Sequence, residues 1–159
     1  MAESNVLAGA GGRPVAEPSV PTGLEIPAIG VRTAVVPIGP RPDRIFDAPG
    51  IDVPAGWMHS TPTPGEPGAA VIVGPADSAE NGPAVFHRLR LLMPGDRIVV
   101  RRADGSELRF AVTAVGIYPH DAFPGDLLAG PGEEPELTLV TDAATWNRGR
   151  HVVFSRLVS

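Results

Sequence analysis

Cysteine is missing from all 159 residues of the chain. That one gap removes disulfides, thiolate metal sites and any thiol nucleophile. No apolar run reaches the roughly 18 residues that a membrane-spanning helix needs. A dense basic run is missing as well: 13 Lys+Arg are scattered against 18 Asp+Glu, for a net charge of -5. That balance argues against nucleic acid or an anionic membrane as a general partner. No metal-ligand spacing is visible, so neither a metal nor another cofactor is expected. Met1 to Pro21 lacks the apolar core of a signal peptide. Its Ala, Gly, Pro and Ser content predicts a flexible leader or linker over residues 1–22. A cytosolic protein fits this, and so does a protein whose N-terminal anchor lies outside this chain.

Glycine and proline are plentiful instead, 19 of each, where proline ordinarily makes up roughly 5% of a chain. Short strands joined by ordered turns are the economical reading. Leu24 to Val31 and Thr33 to Ile38 alternate in polarity and predict two strands, with the prolines at edges or ends. Arg41 to Pro54 is a turn-rich crossing, and Trp57 and Met58 either pin it to the core or line a groove. Thr61 to Gly68 is a tight loop feeding Ala69 to Val73, a continuous apolar run that predicts a central strand buried on both faces. That strand ends at Gly74-Pro75-Ala76-Asp77-Ser78. In Pro83 to Leu92, Val85, Phe86, Leu89 and Leu92 share one face of one or two helical turns. Arg97 to Arg102 and Glu107 to Val115 are joined by Ala103-Asp104-Gly105-Ser106, the strongest hairpin signal present.

Tyr118 to Glu136 is turn-rich and long enough to lie over a site. Leu137 to Asp142 and His151 to Phe154 then read as strand and strand around a short polar loop. Side chains at the mouth of such a loop are held by a rigid sheet yet face solvent, a common position for chemistry. Asp142 ends the first strand, while Arg148 and Arg150 enter the second. About seven or eight strands with one or two short helices predict an all-β fold, a closed or nearly closed barrel. Its core is expected from Ile72, Val73, Phe86, Leu89, Val99, Phe110, Val112, Leu139 and Val153, all read as inward-facing.

Several segments, in order and spacing, resemble sortases, the transpeptidases that anchor proteins to Gram-positive cell walls. They are Leu24 to Val31, Pro64-Gly65-Glu66-Pro67-Gly68, Ala70 to Gly74 followed by Asp77-Ser78, and Gly82-Pro83-Ala84-Val85-Phe86. Leu92-Met93-Pro94-Gly95-Asp96, Tyr118-Pro119, Phe123-Pro124 and Leu137-Thr138-Leu139-Val140-Thr141 complete the set. The pattern is similar to actinobacterial class F, or the neighbouring class E. The resemblance implies a sortase-like barrel domain over residues 23–159, on the extracellular face of the membrane or in the cell wall. A membrane would then be met only through an anchor outside this chain.

Sortase chemistry uses a cysteine nucleophile, a histidine for proton transfer and an arginine for the oxyanion or the peptide. By the resemblance, Pro75 stands in the histidine's place and Asp142 in the cysteine's. Arg148 matches the arginine, with Arg150 as its rival. Proline cannot carry a proton, and a carboxylate attacking an amide would have to form an anhydride. The expectation is therefore a pseudoenzyme that keeps a groove and acts as a binding or assembly module. Its partner would be a sorting-signal-like peptide or a cell-wall or surface protein. Trp57, Asp77, His120, Phe123, Thr141, Trp146 and Arg150 are candidate groove residues, over a floor of Val71–Gly74 and Leu137–Thr141. An Asp142–Arg148 ion pair is expected to fill the old site. The alternative is a hydrolase using Asp142 with Asp77 as an acid/base pair. Each candidate also has a plain structural reading: Asp77 and Asp142 as loop-capping carboxylates, Arg148 as their partner, and His59, His87, His120 and His151 as surface or loop residues.

Overall fold

The Asp104-Gly105 hairpin is where the barrel closes. Strand β9 (Arg97–Arg102) turns there into β10 (Glu107–Pro119), with Arg101 opposite Glu107. Gly105 adopts φ +89°, a region that favours glycine, and its N–H donates to Arg102 O at 2.9 Å. The computed structural model describes residues 6–8, 14–38, 55–75, 77–78, 82–83, 85–119, 134–142 and 149–158. Side-chain surroundings are described for 16–38, 55–74, 85–117, 134–141 and 151–158.

The remaining barrel strands are β3 (Pro21–Ile26), β4 (Val31–Ile38), β5 (Ala55–Met58), β6 (Gly68–Pro75), β11 (Pro135–Asp142) and β12 (Gly149–Leu157). Around the closed barrel the order is β10, β12, β11, β6, β5, β4, β3, β9 and back to β10. Two neighbouring pairs are parallel, β6 with β11 and β4 with β5. The fold is thus the all-β closed barrel expected from the strand count, and among the described residues helical structure is confined to short 3-10 turns at Pro27–Ile29 and Leu89–Leu91. Two small ribbons stand beside it: β1 (Val6–Ala8) with β2 (Pro14–Ala16), and β7 (Asp77–Ser78) with β8 (Gly82–Pro83). No described helix is long and apolar enough to cross a membrane.

Alternation sorts the side chains. Leu24, Ile72, Ile98, Phe110, Leu137 and Val153 fill the barrel, and each such burial contributes about 1.5–3 kcal/mol before ordering entropy is counted. Two core expectations need correction. Val99 is only half-buried, because the inward positions of β9 are Ile98, Val100 and Arg102. Val73 is buried, but in a separate cluster with Val71, Val140 and Val152. That cluster lies on the other face of β6, β11 and β12, which explains why the run from Ala69 to Val73 is apolar at every position. The packed chain also begins earlier than residue 23. Ala16, within the stretch read as a leader, is buried in the main core and donates its N–H to Gly65 O at 2.8 Å.

Candidate functional site

Because β6 and β11 are parallel, their carboxyl ends lie at the same pole of the barrel. The register runs without a break to Gly74 opposite Thr141 and Pro75 opposite Asp142. Two positions far apart in sequence thus become direct cross-strand neighbours. On the other side of β11, β12 begins at the same pole, and β10 ends there with Tyr118 opposite Arg150. Positions 75, 142, 150 and 118 therefore follow one another across four adjacent strand ends.

Gly74 is where the pole is plugged. A Cβ there would sit 2.7 Å from Cδ2 of Phe86, so glycine lets the fully buried ring of Phe86 lie directly on β6. Leu89 and Leu92, from the same turn-rich segment, complete the plug. Sequence periodicity found this face correctly.

Thr141 is almost completely buried, and its Oγ1 accepts the His151 N–H at 2.9 Å. The β11–β12 ladder runs through Val140 opposite Val152. Beyond it, a side-chain hydroxyl takes the place of a backbone carbonyl as the partner of His151. That bond lets β12 leave β11 at the pole without stranding a buried amide. Burial pushes the His151 imidazole below its ordinary pKa, and the Arg90 guanidinium adds to the shift. Sequence reading placed His151 among the surface or loop histidines. Its parity with the inward Val153 and Ser155 was the available signal.

Trp57 occupies the first of its two anticipated places. It is buried in the main core, and its Nε1 donates to Pro62 O at 3.0 Å, so the ring is part of the packing. The outward residues of the expected groove floor, Val71, Val73 and Val140, are packed as well, with Ile38, Met58 and Phe154 against them. Pro75, Asp77, Asp142 and Arg150 are placed by their backbones alone. His120, Phe123, Trp146 and Arg148 lie outside the described residues, and so does the expected Asp142–Arg148 ion pair. Among the described residues no group of three or more His, Cys, Asp or Glu could hold a metal ion.

A family model of the sortase domain matches residues 24–158; the chain belongs to the sortase family. Its fold is similar to solved sortases at low sequence identity. Sortase A from Corynebacterium diphtheriae superposes with a TM-score of 0.70 and 22% identity, over 91% of this chain and 63% of that one. Sortase C-1 from Actinomyces oris gives 0.68 and 21%, over 90% and 75%. A Clostridium perfringens sortase D5 transpeptidase gives 0.67 and 19%, over 89% and 79%. The chain thus spans less than two thirds of the Corynebacterium sortase A chain. A sequence comparison with curated proteins finds no match.

Proposed function

We propose that this chain is a sortase-fold protein that binds without cleaving, a degenerate relative of the class F or class E type. The observation that carries the reading is the lack of any cysteine in a sortase domain. The register adds support: Pro75 and Asp142, in the places read for the histidine and the cysteine, are neighbours across one parallel ladder. A carboxylate is a poor acyl nucleophile toward an amide, and a proline in the histidine's place cannot carry a proton. Arg148, or its rival Arg150, would then orient a ligand instead of an oxyanion. The partner would be a sorting-signal-like peptide or a surface protein at the outer face of the cell membrane or in the wall.

The test is a mass-spectrometric assay with Leu-Pro-x-Thr-Gly and Leu-Ala-x-Thr-Gly peptides plus an amine acceptor, paired with calorimetric titration of the same peptides. Unchanged peptide together with measurable binding is the expected result. Turnover that disappears in Asp142→Ala would overturn the reading in favour of acid/base hydrolysis by Asp142 with Asp77.

A further inference from the structure

The pole opposite Pro75 and Asp142 is closed by a segment outside the sortase match, and a buried cation holds it there. Arg102 is an inward residue of β9 whose side chain has no exposed surface. Its Nε donates to Ser106 Oγ at 2.8 Å and its Nη1 to Glu17 O at 2.6 Å. Longer contacts reach Pro64 O at 3.5 Å and Asp104 Oδ2 at 3.4 Å. One planar fork therefore gathers the hairpin, the loop before β6 and the chain before β3, a task suited to the rigid donors of arginine. The segment is bonded along its length. Ser19 N–H donates to Thr63 Oγ1 at 3.2 Å, and Ala103 N–H to Val20 O at 2.9 Å.

What the segment buries is small. Ala16 is its one core side chain, while Glu17, Pro18 and Val20 are exposed. The pocket admits little more than a methyl group. A Cβ on Gly65 would lie 2.6 Å from Ala16 Cβ and 2.7 Å from Leu108 Cδ1. An element held by main-chain bonds and one polar fork, with little apolar area, opens far more readily than the strands beneath it.

We propose that Ala16–Val20 is a releasable strap, latched by Arg102, that closes the barrel pole opposite Pro75 and Asp142. Opening the strap uncovers Leu108 and the Arg102 fork without disturbing the strand ladders.

Residue-resolved amide hydrogen exchange on the full chain tests this. In the native chain, the amides of Ala16, Ser19 and Ala103 should exchange at one common rate, at least about tenfold faster than those of Leu139 and Val153. Arg102→Met, which removes the fork, and Ala16→Asp, which fills the pocket with a charge, should each raise that common rate about tenfold more. Leu139 and Val153 should hold their rates. Strap amides that exchange no faster than the barrel in the native chain would overturn the proposal. So would variants that leave the strap rate unchanged or accelerate all amides equally.

Discussion

At the strap pole, loops are cross-tied: Thr63 N and Oγ1 both donate to Glu66 Oε2, at 2.8 and 2.6 Å, and Gly68 N donates to Glu134 O at 3.1 Å. At the opposite pole the described chain has fewer such ties. There β6 and β11 end side by side, β12 is held to Thr141 by one side-chain bond, and a phenylalanine supplies the plug. The same barrel thus carries one pole fastened by polar cross-links and one sealed by apolar packing.

The largest break in that comparison should come from the plug. Phe86→Ala empties a fully buried site and should cost about 3–5 kcal/mol, read from urea denaturation. Loss below about 1 kcal/mol would mean that the pole is not held by the ring. Gly74→Ala comes next. The new methyl would strike ring carbons of Phe86 at about 3 Å or less, an overpacking that costs about 1–3 kcal/mol. The two changes meet at one contact, so the Gly74→Ala cost should shrink when Phe86 is replaced by leucine. Strict additivity of the pair would show that the contact is not the cause.

Legibility in the sequence followed the same division. The plug was readable because Phe86, Leu89 and Leu92 recur at helical spacing, and the hairpin was readable because Asp104-Gly105 has a strong turn preference. The all-β barrel followed from strand count and turn density. The strap was not readable. Its only buried side chain is Ala16, and its bonds run from backbone groups that carry no pattern. Arg102 was hidden for a related reason: a charge on a strand reads as outward until three elements bring carbonyls and a hydroxyl to it. The neighbourhood of Pro75 and Asp142 could be suspected from the family resemblance, but the alignment of 75 with 142 comes from a parallel ladder. Parallel pairing has no local turn to announce it.

A smaller effect should follow at Thr141. Removing its hydroxyl with Thr141→Val keeps the shape and strands the His151 N–H, which should cost about 1–2 kcal/mol by denaturant titration. Thr141→Ser keeps the acceptor and should recover most of that loss. Equal costs for the two variants would assign the role of Thr141 to packing instead.

The mildest test concerns pH at the same point. Burial first, and Arg90 second, hold the folded His151 pKa below its ordinary value near 6.5. The unfolded chain therefore takes up a proton there before the folded chain does as pH falls. By linkage, stability from this group is complete above about 6.5 and declines as pH drops through the folded pKa. Asp104 is also held low, chiefly by its hydrogen bonds from Ser106, so its contribution is lost only in a separate window below about 4. Between pH 7.5 and 5 the melting temperature of the native chain should therefore fall more than that of His151→Gln. Arg90→Gln should remove only the lesser part of the difference, because desolvation is the larger cause. Identical slopes for the native chain and His151→Gln would mean that the imidazole is as well solvated at this pole as in the unfolded chain.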